Sequence, residues 1–309
     1  MLIHSFLEEE VKFMERGLLH RKKKTSFFSA GNLFILIPVV MIILLVFVPM
    51  VMALLNSFKT GTPQNMQWAG LSNYKRLLVD ATFKKAFFNT FLYLLIQVPV
   101  MLLLALIVSF ILNDQKLKFK GLFRTALFLP CITSLVSYSL IMKSLFSPNG
   151  LINTALMNLH LITDPLPWFT NPFWAKALII ISITWRWTGY NMIFFIAGMQ
   201  NIDPEIYEAA RVDGASAVQQ LFKITIPNLK PIILFTTITS TIGTLQLFDE
   251  VQNITKGGPA NSTTTLSQYI YNLSFKFTPN FGYALAVSFV IVLCIVILSI
   301  IQKWVMRDE

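Results

Sequence analysis

Hydroxyl-bearing side chains recur along one face of an otherwise apolar stretch near residue 240. Thr237, Ser240 and Thr244 follow one another at spacings of three and four residues, which is the repeat of an α-helix. Neutral hydroxyls both donate and accept hydrogen bonds, so this face could bind a molecule that is rich in hydroxyl groups. The same side chains could instead bond to carbonyls of their own helix or join neighbouring helices. Both uses stay open on the sequence alone.

A second polar stretch, TWRWTGYN, places a cation among aromatic rings inside another apolar run. Arg186 lies near the middle of that run, and the neighbouring rings could pack against the C–H face of a sugar. A buried guanidinium needs a partner. That partner is either a group on a neighbouring helix or subunit, or a substrate, and an unpaired Arg186 would favour an anionic substrate. The candidate residues here are Arg186, Trp187, Gly189, Tyr190 and Asn191.

Chemistry that makes or breaks covalent bonds has no candidate in this sequence. His4, His20 and His160 are scattered, and the two cysteines, Cys131 and Cys294, both fall in apolar runs. These spacings predict no metal site, no nucleophile with a base and no disulfide framework. The apolar runs contain no pair of carboxylates, which disfavours a proton-coupled carrier. The sequence therefore predicts a protein that is not an enzyme and that binds no cofactor itself.

The composition is typical of a chain that crosses a membrane several times. Of the 309 residues, 55% are hydrophobic and 13% are charged, and that charged fraction is about half of the value in soluble domains. Backbone groups in lipid must be hydrogen-bonded internally, so each apolar run is expected to be a helix. Six runs are long enough to cross about 30 Å of hydrocarbon. They lie near residues 31–55, 86–112, 122–147, 174–199, 231–249 and 281–304.

The distribution of basic residues predicts the orientation of these six spans. With a cytoplasmic N-terminus, 15 Lys and Arg residues fall in cytoplasmic segments and seven in outer segments. That bias places both termini in the cytoplasm, and it accounts for the net charge of +10 without a nucleic-acid partner. The chain is thus predicted to have two parts, an amphipathic and basic cytoplasmic segment over 1–30 and a transmembrane domain over 31–309.

A charged loop between the fourth and fifth spans carries clear helix signals. Asp203 can cap a helix, and Pro204 suits the first helical position. Gly214 allows the chain to leave this helix, and a second helix over Val218 to Ile226 is limited by Pro227. Small residues and a single carboxylate on the first helix would let another protein approach closely and make a directional contact.

The loop over 203–230 contains a motif of fixed spacing, with Glu-Ala-Ala at 208–210, Gly214 and Ile-Thr-Ile-Pro at 224–227. It resembles the cytoplasmic signature of permease subunits of binding-protein-dependent ABC importers, in which a leucine stands at the position of Ile226. The resemblance implies that this segment is a coupling helix, which docks in a cleft of a separate ATPase subunit. The residues assigned to this role are Tyr207, Glu208, Ala209, Ala210, Asp213, Gly214, Ile224 and Pro227.

Other segments resemble the sugar-permease branch of that family, whose best-known members import maltose, multiple sugars or glycerol-3-phosphate. These segments read FFNTFLYLL, FRTALFLP and FDEVQNITKGGPANSTTTLSQYIY. The resemblance implies the type I ABC importer permease fold, all-α with six transmembrane helices, in a bacterial cell membrane. In maltose-type members, polar residues ahead of the Gly-Gly-Pro loop contact the sugar. The matching positions are Ser240, Thr244, and Leu247 beside Gln246, where Leu247 is apolar and the maltose-type pattern has an amide.

The resemblance also implies the partners of the chain. They are a second related permease, two copies of an ATPase and an extracytoplasmic sugar-binding protein. The chain has no G-x-x-x-x-G-K-[ST] phosphate loop, so ATP and Mg²⁺ are expected on the ATPase. The neutral hydroxyls and the lack of a basic cluster favour a neutral oligosaccharide as substrate. Two alternatives stay open: import of glycerol-3-phosphate or another anion, for which Arg186 is the only hint, and an ATP-independent channel or facilitator.

Overall fold

The computed structural model describes residues 30–62, 65–114 and 117–306. The predicted N-terminal segment therefore lies outside the described residues up to position 29. The chain divides into two compact units, Met1–Ala53 and Leu54–Glu309, and each is described by itself. Within the described residues the regular secondary structure is helical apart from one antiparallel hairpin, in which β1 pairs with β2 from Lys59 opposite Trp68 to Thr62 opposite Asn65.

The elements follow in chain order, and three π-helical turns continue from the ends of α-helices. The α-helices are α1 (Ala30–Ile42), α2 (Val48–Ser57), α3 (Ser72–Leu77), α4 (Ala81–Asn113), α5 (Lys120–Ile132), α6 (Leu135–Leu145), α7 (Leu151–Asn158), α8 (Pro172–Met199), α9 (Pro204–Val212), α10 (Ala217–Gln220), α11 (Ile226–Asn228), α12 (Lys230–Leu245), α13 (Asp249–Ile254), α14 (Leu266–Tyr271) and α15 (Phe281–Val305). The strands are β1 (Lys59–Thr62) and β2 (Asn65–Trp68), and the π-helical turns are Ile43–Phe47, Leu221–Thr225 and Asn272–Lys276.

Three of the described helical segments are long and apolar enough to cross a membrane, namely Phe34–Ser57, Ala81–Asn113 and Phe281–Val305. The number rises to five if each of two bent helix pairs is counted as one span. The helix α8 is not among them, since its TWRWTGYN stretch interrupts the apolar run, although 28 residues of helix extend about 42 Å. The six-span count and the cytoplasmic termini therefore stay predictions.

The third predicted span is not the single helix that was expected over 122–147. It breaks after Ile132, and α5 and α6 meet at an angle of 104°. Thr133 and Ser134 both have extended backbone torsions, and the Thr133 hydroxyl donates to the carbonyl of Pro130 at 2.9 Å. An extended pair of residues cannot continue the helical ladder, so the chain changes direction at this point.

The fifth predicted span also ends earlier than expected. The helix α12 stops at Leu245 rather than near 249, and a separate short helix, α13, begins at Asp249. A bend of 75° separates α12 from the helical segment Ala217–Asn228 that precedes it. The residues after Leu245 are therefore free to fold back against other helices of the second unit.

The helices α4 and α8 pack along one another and form the centre of the second unit. Their shared core includes Ala105, Met192 and Phe195, which are almost fully buried. A second cluster joins α6, α8 and α13, and a third joins α4, α12, α14 and α15. Burial of these apolar side chains holds α4 and α8 together, and other helices of the second unit pack against this pair.

Asp80 ties the start of α4 to two other elements. One carboxylate oxygen caps α4 by accepting from the backbone N–H of Thr82 at 2.8 Å and of Phe83 at 3.1 Å. The other accepts from the hydroxyls of Tyr269 on α14 and Tyr283 on α15, both at 2.6 Å. Burial alone would raise the pKa of this carboxyl, but the four hydrogen bonds outweigh it and lower the pKa below its ordinary value.

Candidate functional site

A cavity of about 520 Å³ lies among α4, α6, α8, α12 and α13. It is the place where the polar residues singled out in two apolar runs come together. Eight of the ten residues predicted for a substrate path line it. These eight are Arg186, Trp187, Tyr190, Asn191, Ser240, Thr244, Gln246 and Leu247.

Hydrogen bonds between helices cross the polar side of this cavity. The Thr244 hydroxyl on α12 donates to the Gln97 side-chain carbonyl on α4 at 3.0 Å. The Ser240 hydroxyl on α12 donates to Asn191 Oδ1 on α8 at 3.5 Å. Gln97 was not among the predicted residues, because a single amide in a long apolar helix has no spacing signal of its own. These two hydroxyls therefore face other helices across the cavity, and the cavity offers neutral donors and acceptors.

Two predicted residues lie outside this cavity. The Thr237 hydroxyl donates to the carbonyl of Ile233 in its own helix at 2.6 Å, which is the alternative use that the sequence left open. Gly189 allows α8 to approach α5, because a Cβ there would lie 1.9 Å from the carbonyl oxygen of Leu127. The structure thus gives Gly189 a role in helix packing.

Arg186 has a carboxylate partner on a neighbouring helix, which is one of the two kinds of partner that the sequence left open. Its Nε lies 3.8 Å from Glu250 Oε1 on α13, and both residues are buried. The indole N–H of Trp187 donates to the same oxygen at 3.4 Å. The guanidinium also lies over the ring of Tyr138, 4.9 Å from its centroid. The cavity wall therefore carries a charge pair rather than an isolated cation.

Glu250 is a functional candidate that the sequence analysis missed. It lies one residue beyond the predicted fifth span, 231–249, and the sequence analysis gave it no role. Because α12 ends at Leu245, the chain folds back and α13 brings Glu250 beside Arg186. The adjacent acidic pair of Asp249 and Glu250, directly after a span, was the available signal.

The first helix of the predicted coupling loop, α9, forms as expected. The Asp203 side chain accepts from the backbone N–H of Glu205 at 3.0 Å, and Pro204 holds the first helical position. At the other end Gly214 has φ of +77°. The N–H of Ala215 bonds to the carbonyl of Ala210 at 2.8 Å, and the Gly214 N–H to that of Arg211 at 3.1 Å. These two bonds form a Schellman motif, which requires the left-handed backbone that glycine adopts readily.

The second helix of the loop differs from the prediction at both ends. It begins after Ser216, which forms a capping box with Gln219, and it continues through Pro227 to Asn228 by way of a π-helical turn. The hydroxyls of Tyr207 and Thr225 lie 2.9 Å apart and join the two helices. We call residues 203–228 the coupling hairpin. Its two caps leave only a short link between the helices, so it is a defined element rather than a loose loop.

The coupling hairpin presents an exposed surface that is partly apolar. No residue of α9 is buried, and Val212 is 88% exposed. Among the predicted coupling residues, Glu208, Ala209, Asp213, Gly214 and Pro227 are exposed, and Tyr207, Ala210 and Ile224 are partly buried. The large apolar residues exposed on the hairpin are Ile206, Val212, Val218 and Phe222. Exposed apolar groups beside polar ones are typical of a surface that binds another protein.

The sequence of this chain matches a known protein family. Residues 82–308 match the family described as binding-protein-dependent transport system inner membrane component. The chain belongs to this family. The permease is therefore a membrane protein of a transport system rather than an enzyme, and its predicted place in the cell membrane is confirmed.

The permease is similar to three curated sugar permeases. It is 52% identical over 281 residues to the lactose transport system permease protein LacF of Rhizobium radiobacter, with 90% of this chain and 94% of LacF covered. It is 34% identical over 297 residues to the arabinooligosaccharides transport system permease protein AraP of Halalkalibacterium halodurans, with 93% and 92% covered. It is 33% identical over 276 residues to the multiple sugar-binding transport system permease protein MsmF of Streptococcus mutans, with 88% and 93% covered. The resemblance to the sugar-permease branch is confirmed.

The permease also shares its fold with solved ABC transporters. One is the bacterial ABC transporter involved in the import of the acidic polysaccharide alginate, with a TM-score of 0.78, 21% identity, and 97% of this chain and 98% of that chain covered. A second structure, of the alginate transporter in complex with alginate pentasaccharide-bound periplasmic protein, gives a TM-score of 0.77 at 21% identity, with 89% and 92% covered. At this identity the likeness concerns the fold, and the predicted ABC importer permease fold is confirmed.

Proposed function

We propose that the permease is one transmembrane subunit of an ATP-driven importer for a neutral oligosaccharide. The observation that carries the proposal is the family match over residues 82–308 together with 52% identity to a lactose permease. The cavity supports it, since its hydroxyls, amides and aromatic rings can bind hydroxyl groups and the C–H faces of a sugar. The subunit forms half of the translocation path.

The charges of the cavity favour a neutral substrate over an anionic one. An unpaired Arg186 would have favoured an anion, but Glu250 lies beside it and Asp249 also lines the cavity. The cationic charge is thus offset, and an anion such as glycerol-3-phosphate would meet two carboxylates. Import of an anionic substrate is the second candidate, and a comparison of neutral and anionic sugars as ligands distinguishes the two.

The coupling hairpin would connect the cavity to a separate ATPase subunit, which binds ATP and Mg²⁺. It joins α8 to α12, and these two helices carry six of the eight path residues in the cavity. Gly198 near the end of α8 lets that helix pack closely against Leu229 and Ile232, since a Cβ there would meet both side chains. A movement of the hairpin on ATP binding would therefore be passed to both helices and would open the path to alternate sides.

The proposed assembly has four kinds of subunit. Besides this permease, it contains a second related permease, two ATPase copies and an extracytoplasmic sugar-binding protein. Purification of the chain from its native membrane in a gentle detergent, followed by mass spectrometry, tests this assembly. Co-purification of an ATPase and a second permease is expected. A chain that arrives alone and monodisperse would favour the channel or facilitator, whose transport would persist after cellular ATP is depleted.

The coupling role is tested by lactose uptake in cells that express charge and size variants of the hairpin. Glu208→Lys reverses an exposed charge on α9, and Gly214→Trp projects a large ring into the open space beside the turn. Both are expected to abolish uptake while the chain still inserts in the membrane. Asp164→Lys, a charge reversal at another exposed position, is the control and should transport normally. Normal uptake by both hairpin variants would refute the coupling role.

A further inference from the structure

The buried guanidinium of Arg186 lacks hydrogen-bond partners for part of its donor set. Only 7% of this residue is exposed, and within the described part of the chain its Nε and Nη1 atoms have no hydrogen-bond acceptor. Glu250 Oε1 lies 3.8 Å from Nε, which offsets the charge but is too long for a hydrogen bond. Buried donors of a charged group that remain unpaired are costly. A ligand acceptor in the cavity would remove this cost.

The surroundings hold both charged groups in place at the cavity wall. The guanidinium carbon lies 4.9 Å from the ring centroid of Tyr138 and 5.8 Å from that of Trp187. Cation–π contacts occupy the faces of the guanidinium and leave its N–H edge for hydrogen bonds. The Trp187 indole bonds to Glu250, so the carboxylate is also held. The N–H edge of Arg186 and the carboxylate of Glu250 thus lie side by side, and both residues line the cavity.

We propose that Arg186 and Glu250 together bind adjacent hydroxyl groups of a neutral sugar. One hydroxyl oxygen accepts from the guanidinium of Arg186, and the neighbouring hydroxyl donates to the carboxylate of Glu250. A hydroxyl group can do either, so a pair of neighbouring hydroxyls satisfies both charged groups without adding charge to the cavity. The inference rests on the proposed function, because it assumes that the sugar passes through this cavity.

The same pair selects against an anionic sugar. A carboxylate on the substrate can accept from Arg186 but cannot donate to Glu250. It would also stand near two negative charges, since Asp249 lines the cavity beside Glu250. Like charges that meet in a poorly hydrated site disfavour binding. The pair is therefore a specificity determinant for neutral sugars as well as a binding site.

The test compares lactose with lactobionate, its carboxylate-bearing derivative, by equilibrium binding of radiolabelled ligand. The sample is the assembled transporter in lipid nanodiscs without the binding protein, so that the binding protein does not select the ligand. The wild-type complex should bind lactose at least tenfold more tightly than lactobionate. A hydrogen bond to a charged group corresponds to about ten- to hundredfold in affinity. Glu250→Gln should therefore weaken lactose binding about tenfold and reduce the ratio of the lactose affinity to the lactobionate affinity.

A double variant and a control keep the test decisive. Arg186→Gln with Glu250→Gln leaves no uncompensated buried charge, so it should assemble even where a single variant does not. It should lose both the lactose affinity and the preference over lactobionate. Asp164→Asn removes a carboxylate charge from an exposed residue that does not line the cavity, and it should leave lactose binding and the preference over lactobionate within about threefold.

Three results would overturn the inference: equal binding of both ligands by the wild-type complex, an unchanged preference in the double variant, or no lactose binding. If the complex still contains the ATPase and hydrolyses ATP, these results reject the binding role of the pair while the permease function stands. Failure of the chain to assemble with an ATPase would instead reject the proposed function.

Discussion

The left-handed turn at Gly214 permits a graded test of how far transport depends on the shape of the coupling hairpin. Gly214 has φ of +77°, and the Schellman bonds at the end of α9 depend on that torsion. A Cβ built on this residue has no other atom within 4 Å. Substitution therefore introduces no clash inside the chain, and its cost comes from the backbone conformation alone.

The expected loss of hairpin stability follows from the left-handed conformation of Gly214. An L-residue other than glycine loses about 1–2 kcal/mol in the left-handed region, so Gly214→Ala should destabilise the folded hairpin by about this amount. The ratio of formed to unformed hairpin then falls about five- to thirtyfold. Asparagine tolerates this region better than alanine does, whereas a β-branched valine at positive φ is worse. The expected order of transport activity is wild type, Gly214→Asn, Gly214→Ala and Gly214→Val.

The assay measures uptake of lactose by cells and the amount of ATPase that co-purifies with each variant. Gly121→Ala is the matched control, since Gly121 also has no atom within 4 Å of a built Cβ but lies within α5 without a positive φ. It should retain full activity. Gly214→Val with wild-type uptake, or Gly121→Ala as damaging as Gly214→Ala, would refute the reasoning.

Two further predictions concern the rest of the second unit, and both are measured as thermal unfolding of the purified complex. Asp80→Asn keeps a helix cap but makes the hydrogen bonds from Tyr269 and Tyr283 neutral, so it should destabilise by about 1–3 kcal/mol. The pKa of Asp80 is lower in the folded protein than its ordinary value, so the contribution of Asp80 to stability is fully present above the ordinary pKa and is lost as the pH falls through the folded pKa. If the melting temperature of Asp80→Asn fell with acid in the same way as that of the wild type, this reasoning would be wrong. Gly189→Ala forces a Cβ against the backbone carbonyl of Leu127 and should cost about 1–3 kcal/mol, and an unchanged melting temperature would show that α5 and α8 separate freely.

The coupling hairpin could be predicted closely because its signals are local. A capping aspartate before a proline, and a glycine one turn past the last small residues, each act within a few residues of their position. The structure has α9 between Asp203 and Gly214, as these signals indicated. The second helix was placed less well, since Pro227 was taken as a limit and the helix passes through it to Asn228.

The break between α5 and α6 had no comparable local signal. Pro130 lies inside α5, and the extended residues that follow it, Thr133 and Ser134, carry no glycine. They lead into α6, which is joined to α8 by the hydrogen bond from the Tyr138 hydroxyl to the Ser182 carbonyl at 2.5 Å, and that long-range contact forms only in the folded protein. Hydropathy alone therefore merged two helices into one span.

The charge of the cavity depends on where one helix ends. Had α12 continued through 249 as the sequence predicted, Glu250 would lie five helical residues beyond Leu245, which is about 7.5 Å further along the axis. On such a continued helix Glu250 would lie along the axis of α12 instead of being carried by α13 to Arg186, and an Arg186 without this partner would favour an anion. The sequence could therefore establish that Arg186 needs a partner but not which one, and the proposal of a neutral substrate rests on the early end of α12.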